Sequence, residues 1–251
     1  MELKIMSFNL RVPSETDGIN HFNNRKSNIL DVILREQPDL IGFQEATDAT
    51  RSFLRDMLPR NYTLLGCGRK EGYRGESAPL AFKNDLFELI SFDTFWLSGT
   101  PDTPGSIYEG SDQSHCPRLT FRATLHAEGT EKPFHFYNTH LDHKGKKARL
   151  LGMQDIISHI KKSGGNFILT GDMNASPTED CIKEILTLPG VADTTKGITS
   201  TFHSYGRKAE DCKIDYIFTN LVATDSYAIE DKHENGIYIS DLYPICSILE
   251  I

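Results

Sequence analysis

The sequence has no apolar run long enough to span a membrane, no Cys-x-x-Cys pair and no excess of basic residues. The first absence excludes a helical membrane protein. The second bears on five scattered cysteines, Cys67, Cys116, Cys181, Cys212 and Cys246. An odd number without paired spacing points to free thiols in a reducing compartment rather than to a disulfide framework or a zinc site. The third is a net charge of -8, which argues against a surface built for long nucleic acid, since that needs a basic stripe. A small anionic substrate suits this balance better. The densest basic run is Lys144, Lys146, Lys147 and Arg149, with Arg11 and Arg25 of the same sign, and it reads as a solvated loop and helix start. There is no leader-like N-terminus, because Met1 to Asn9 already reads as a strand. A cytoplasmic location is the expectation. The single tryptophan, Trp96, reads as core packing.

What is present is an alternation of short apolar strands with amphipathic helices in an otherwise ordinary composition. Leu3–Phe8 predicts a strand, Asn24–Gln37 a helix stopped by Pro38, and Asp39–Gln44 a second strand. Thr50–Leu58 predicts a helix stopped by Pro59. Short strands follow at Tyr62–Leu65, Ala78–Phe82, Phe87–Ser91, Phe95–Leu97 and Leu119–Leu125. A Gly-, Pro-, Ser- and Asp-rich loop spans 98–116, of a length that tends to be functional. A second strand–helix–strand unit runs through Phe134–Asn138, Lys146–Lys161 and Phe167–Leu169, and Ile214–Phe218 and Tyr243–Leu249 close the chain. No domain boundary is visible, so residues 1–251 are expected to form a single domain.

The stretch from Phe167 to Pro177 organises the functional reading. Gly171 is expected to break its strand, Ser176 to cap a following helix, and Pro177 and Glu179 to occupy the first turn. Between them stand Asp172 and Asn174, which in an extended segment point the same way. A carboxylate can steer a water or take its proton, and an amide can donate to an oxyanion. A plain strand-to-helix turn would also account for both residues. The same pattern recurs along the chain: Asn9, Glu45, His140, Asp172, Asp215 and Asp241 all stand at strand ends, where ligand sites form in covered α/β sheets. Glu45 and Asp241 suit a hard divalent cation. Asn9 and Asn174 suit a phosphate oxygen or a metal-bound water, and His140 suits a phosphoryl oxygen. Without a Ser or Cys nucleophile beside a base, attack by water is the simpler chemistry.

Phe8-Asn9-Leu10-Arg11, Gln44-Glu45, Asn138-Thr139-His140-Leu141-Asp142-His143, Gly171-Asp172-Met173-Asn174, Ile214-Asp215-Tyr216-Ile217-Phe218 and Ser240-Asp241 resemble, in that order, motifs of the endonuclease/exonuclease/phosphatase superfamily. That superfamily includes pancreatic deoxyribonuclease, abasic-site endonucleases, sphingomyelinases and inositol polyphosphate 5-phosphatases. Phe95-Trp96-Leu97-Ser98 and Cys116-Pro117-Arg118-Leu119-Thr120 look like a bacterial subgroup of small members. The resemblance implies an α/β (α+β) fold: a deoxyribonuclease I-like, four-layered sandwich of two mixed β-sheets flanked by helices. It implies Mg2+ (or Mn2+) held by Glu45, with Asn9 and Asp241 near it. Asp172 would orient or deprotonate the attacking water, Asn174 would hold the scissile phosphate and His140 would stabilise the pentavalent transition state. Glu76 would orient His140, and Arg118 would clamp the phosphate. His143 reads as a supporting residue.

The family pattern breaks at one position. Its last motif ends in a histidine that pairs with the aspartate equivalent to Asp215, and this chain has Leu242 there. Losing a positioned acid–base group lowers rates by about 10²- to 10⁴-fold. The expectation is therefore a divalent-metal-dependent phosphoesterase that hydrolyses a small or lipid-type phosphate ester or diester at reduced rate. The alternative is a catalytically inactive descendant that binds a phospho-ligand or metal. A DNA repair endonuclease is disfavoured by the charge. Loops 98–116 and 225–240 are the expected specificity determinants, and His203 and His233 are candidates to replace the missing imidazole.

Overall fold

The computed structural model describes residues 1–208, 211–230 and 236–251. Successive side chains of strand β1 (Glu2–Asn9) point to opposite faces, and its last five residues are all buried. Leu3 and Ile5 face one apolar cluster, while Met6 and Phe8 face another. A strand buried on both faces belongs in the middle of layers, and β1 is central to a six-stranded sheet. The neighbours of β1 are β2 (Leu40–Gln44), parallel to it, and β12 (Ile245–Glu250), antiparallel. The sheet order is β11-β12-β1-β2-β4-β3, with β3 at Tyr62–Leu65, β4 at Leu80–Lys83 and β11 at Val222–Ala228. The second sheet has the order β5-β6-β7-β8-β10-β9. Its strands are β5 (Phe87–Trp96), β6 (Leu119–Ala127), β7 (Phe134–His140), β8 (Asn166–Asp172), β9 (Ala192–Asp193) and β10 (Asp215–Thr219).

The two sheets pack face to face through Leu3, Ile5, Leu40 and Leu80 on one side and Phe121, Phe136, Ile168 and Ile217 on the other. Helices cover the outer faces. On the first sheet lie α1 (Phe22–Glu36) and α2 (Asp48–Met57), which bury Ile29, Val32, Ile33 and Leu54. On the second lie α3 (Lys146–Ser163) and α4 (Asp180–Ile185), with Met153, Ile156, Ile160 and Ile182 inward. This is the two-sheet, helix-flanked sandwich that the sequence implied. No described helix is long and apolar enough to cross a membrane.

One polar rivet crosses the apolar interface. The Asn138 amide nitrogen donates to the carbonyls of Phe43, Ala78 and Pro79 at 2.7, 2.8 and 3.0 Å. Its oxygen accepts from Gln44 Nε2 and Thr170 Oγ1, both at 2.9 Å. Gly42 makes this approach feasible, because a Cβ there would lie 2.1 Å from Thr170 Oγ1. A buried hydrogen-bond network favours one arrangement of the elements it joins, and this one sets β2 against β7 and β8.

Several boundaries differ from the sequence reading. The two strands expected at Phe87–Ser91 and Phe95–Leu97 are one, β5, which stops at Trp96 and whose alternation is broken by a register shift between Leu89 and Ser91; the bulge mimics a gap. Gly171 does not end β8, which runs on to Asp172. Its missing side chain serves close packing instead, since a Cβ would meet the Thr139 carbonyl oxygen at 2.5 Å. No helix starts at Ser176: α4 begins at Asp180, and the Glu179 carboxylate turns back to accept from the Ser176 N–H at 3.3 Å. Part of the expected 225–240 loop is the exposed edge strand β11.

Candidate active site

Asn9, Glu45, His140 and Asp172 end, or directly follow, β1, β2, β7 and β8. Asp215 and Asp241 reach the same edge differently. Asp215 is the first residue of β10, and Asp241 precedes β12. Both strands run antiparallel to their neighbours, so their amino ends lie beside the others' carboxyl ends. The chain direction differs from the sequence expectation, yet the convergence holds.

Three non-glycine residues here adopt the left-handed backbone region: Arg11 (φ 54), Glu45 (φ 57) and Asn174 (φ 48). Such conformations are uncommon and cluster at functional sites. At Asn174 the turn replaces the extended geometry expected of the Asp172–Asn174 pair. The Asn174 N–H donates to Asp172 Oδ1 at 2.8 Å, and its amide nitrogen donates to the Leu141 carbonyl at 3.1 Å. That amide nitrogen also lies 2.9 Å from His140 Nε2. The side chains converge by folding back on each other.

Asn9 bridges the two carboxylates, donating from Nδ2 to Glu45 Oε1 at 3.2 Å and to Asp172 Oδ2 at 3.0 Å. Its own oxygen accepts from the Arg11 N–H. Glu45 Oε2 accepts from the Val12 N–H at 2.8 Å, and His140 Nε2 stands 3.6 Å from Asp172 Oδ2. Asp241 lies 3.7 Å from Arg11 Nε, and Ser240 Oγ donates to the Asn9 carbonyl. Arg25, noted from the sequence only for the sign of its charge, is fully buried and donates to the carbonyls of Ile239, Arg11 and Leu10. It ties the loop after β1 to the loop carrying Asp241.

The electrostatics follow from burial and like charge. Burial raises the pKa of Asp241 to about 6, with the Glu45 carboxylate adding to the rise. Burial also raises Asp172, with Glu45 again adding. Asp215 is pushed well above the carboxylate range by burial and then by Asp172. Burial, Arg118 and Arg69 push His140 far down, so its imidazole is neutral. Ligand atoms of Glu45, His140 and Asp172 lie within 4.8 Å of one another. Buried carboxylates crowded until they resist ionising are the setting a divalent cation relieves, and oxygen donors suit Mg2+ or Mn2+. The donor set therefore fits such an ion.

Two expected roles change. The Glu76 carboxylate does not orient His140; it accepts from Arg69 Nη2 at 2.7 Å, because the backbone bond from the Arg69 N–H to the Glu76 carbonyl sets the two residues opposite each other. Arg149 is buried, donating to the Asp142 carbonyl and to Glu179, so the basic run is only partly a solvated one. Trp96 is core, as expected, but its indole N–H also donates to the Arg69 carbonyl at 2.6 Å. His143 Nδ1 lies 3.1 Å from Arg118 Nη2. Arg118 and Arg69 are both buried and share a small cavity with His140. Sequence reasoning missed Arg69, whose sole signal is its place between the glycine-rich Gly66-Cys67-Gly68 and Gly72.

Leu242 is buried and bridges to Phe202. His203 does not take the family histidine's place. Its Nδ1 accepts from the Gly206 N–H at 3.1 Å, its ring stacks on Tyr243 at 4.0 Å, and it bonds to the Leu242 backbone. His233 lies outside the described residues. Asp215 Oδ2 has no hydrogen-bond partner among the described residues.

The sequence profile of the Endonuclease/Exonuclease/phosphatase family matches residues 6–241. Among solved structures, an endonuclease/exonuclease/phosphatase from Bacteroides vulgatus superposes with a TM-score of 0.91 at 31% identity, covering 100% of this chain and 99% of that one. A mannosyl-6-phosphatase from Bacteroides thetaiotaomicron gives 0.85 at 26% identity, over 99% of this chain and 100% of that one. An uncharacterized protein of Acanthamoeba polyphaga mimivirus is 22% identical over 270 residues, spanning 99% of this chain and 100% of the viral protein.

Proposed function

The chain belongs to the endonuclease/exonuclease/phosphatase family, and on that premise we propose that it is a divalent-metal-dependent phosphoesterase acting on a small phosphorylated substrate by in-line attack of water. The observation that carries this reading is the meeting of Asn9, Glu45, His140, Asp172 and Asn174 at one edge of both sheets. Glu45 and Asp241 would hold the cation, with Asn9 beside them. When bound, the cation polarises the phosphoryl group and offsets developing charge. Asp172, raised by burial, orients the attacking water and takes its proton. Asn174 and the neutral His140, whose side chains hold each other at 2.9 Å, would exchange that contact for donation to non-bridging oxygens, where charge accumulates in the transition state. The likeness to a sugar-phosphate phosphatase at 26% identity supports a small ester over a polymer, as does the net charge of -8. A DNA repair role would need steeply salt-dependent binding to duplex DNA.

The test is hydrolysis of generic phosphomonoesters and phosphodiesters with Mg2+ or Mn2+, beside an Asp172→Ala control. Activity that survives Asp172→Ala sinks the mechanism. A second reading, binding of a phosphorylated ligand without turnover, rests on Leu242 and the unmet Asp215 Oδ2. Metal and phosphate binding with no hydrolysis of any ester would favour it.

A further inference from the structure

The proposed mechanism leaves a second set of donors unused. Arg69 and Arg118 are 6% and 4% exposed, and they line a cavity with Ser77, Ala78, Leu119 and His140. Arg69 Nε and Arg118 Nε and Nη1 are buried with no hydrogen-bond partner among the described residues. Unmet donors on a buried charge are costly, and each calls for an acceptor. Counter-charge is already supplied. Arg69 Nη2 is bound to Glu76 at 2.7 Å, and Arg118 Nε stands 3.7 Å from Asp142 Oδ2. What the pair lacks is oxygen atoms to receive its free N–H groups.

The surroundings hold both guanidiniums in place. The Trp96 indole pins the Arg69 carbonyl, and the Arg69 N–H is fixed to Glu76. The turn between them is tight: a Cβ on Gly68 would lie 2.1 Å from the Arg74 backbone. The Arg118 carbonyl accepts from Leu97 at 2.8 Å. Phe95–Ser98 and Cys116–Thr120, which the catalytic reading does not otherwise use, thus frame the two arginines. Two positioned forks facing the phosphoryl-stabilising histidine suit bidentate recognition of a phosphate.

We propose that Arg69 and Arg118 form a subsite for the non-bridging oxygens of a phosphomonoester, and that this subsite selects monoesters over diesters. The inference rests on the phosphoesterase reading of the same centre. The selectivity rests on charge and space. A monoester brings a dianionic phosphoryl group, one terminal oxygen of which can enter the cavity and accept from both guanidiniums. A diester brings one charge fewer and a second organic substituent, for which a cavity of this size has no room. The cavity volume of about 10 Å³ admits one oxygen-sized group, so it receives a phosphoryl oxygen and not the substrate's organic portion.

The experiment compares kcat/KM for para-nitrophenyl phosphate and bis-para-nitrophenyl phosphate on the full chain with Mn2+, in wild type, Arg69→Gln and Arg69→Lys. The wild type is expected to favour the monoester by at least about 100-fold. Arg69→Gln should lower monoester kcat/KM by about 100-fold and diester kcat/KM by less than about 5-fold. Arg69→Lys keeps the charge and the Glu76 partner but lacks Nε, so it covers the case in which the glutamine variant fails to fold. It should lose about 10-fold on the monoester alone. A wild-type preference for the diester, or an equal fall on both substrates, overturns the proposal. Thermal unfolding with inorganic phosphate, free of metal, separates the two readings. If wild type turns over neither ester, the catalytic reading fails. The subsite then stands if phosphate raises the Tm of wild type and not that of the Arg69 variants, and falls if it raises both or neither.

Discussion

Asp215, the first residue of β10, lies directly across the antiparallel pair from Asp172, the last residue of β8, and its Oδ2 meets no partner among the described residues. In the sequence family the partner is a histidine; here the position is Leu242. Leu242→His should place an imidazole at the end of that unmet oxygen. The expected result is a rise in kcat of about 10²-fold or more, in line with the contribution of a positioned acid–base group. The same substitution in an Asp172→Ala background should give no rise. Steady-state kinetics on a generic phosphate ester decide it: an unchanged kcat means that Leu242 does not limit turnover.

The crowding of Glu45, Asp172 and Asp241 has a pH signature in the metal-free protein. Asp241 is held at about 6 by burial and by Glu45, and Asp172 is raised from the same causes. An acid whose folded pKa is raised stabilises fully below its unfolded value, about 4, and loses that stability as pH rises through the folded value. A divalent cation binds the ionised forms and reverses the loss. The Tm increase produced by Mn2+ should therefore be larger at about pH 7.5 than at about pH 5. Glu45→Gln keeps the Val12 contact but removes a charge. It should raise the metal-free Tm at neutral pH and shrink the Mn2+ effect. Thermal melts with and without EDTA check both.

The sequence carried much of this site because its chemistry stands next to short apolar runs: Asn9 after Phe8, Glu45 after Phe43-Gln44, His140 after Tyr137, Asp172 after Leu169. What it did not carry was strand direction, so Asp215 and Asp241 were assigned to the right edge through the wrong strand ends. Nor could it give pairings between distant segments. Glu76 belongs to Arg69 through a backbone contact in a glycine-rich turn, which no side-chain pattern announces. Strand β11 was missed because it is an edge, mostly exposed along Val222–Asp225, and so shows no alternation of apolar and polar positions. Strand β5 was split because a bulge interrupts its period.

Asp142, inside the histidine motif, acts on stability. Its carboxylate accepts from the Ser114, Lys144 and Gly145 N–H groups at 3.1, 3.0 and 2.8 Å, and from the Ser114 hydroxyl. Burial pushes its pKa up, but these donors outweigh burial and bring it down to about 2. A depressed acid stabilises above its unfolded value and loses that stability as pH falls through the folded one. Asp142→Ala should lower unfolding free energy at neutral pH by about 2–4 kcal/mol, since it leaves several buried donors unmet. Its wild-type contribution should fade between about pH 4 and pH 2. Urea titrations across that range read both; a flat difference between wild type and variant would remove Asp142 from this role.

Trp96 tests whether the arginine subsite depends on its support. The indole N–H is the side-chain donor to the Arg69 carbonyl, and Trp96→Phe keeps an aromatic ring in the core while deleting it. The unmet carbonyl should lower stability by about 1–2 kcal/mol, which a melt will show whether or not Arg69 binds phosphate. Kinetics separate the two consequences. If Trp96 acts by positioning Arg69, Trp96→Phe should raise KM for a phosphomonoester by about 10-fold, because small displacements of a binding group weaken oriented contacts. Added to Arg69→Gln, it should raise KM no further, since residues acting through one contact are non-additive. Additive effects on KM in the double variant would separate Trp96 from Arg69 and leave the tryptophan a packing residue alone.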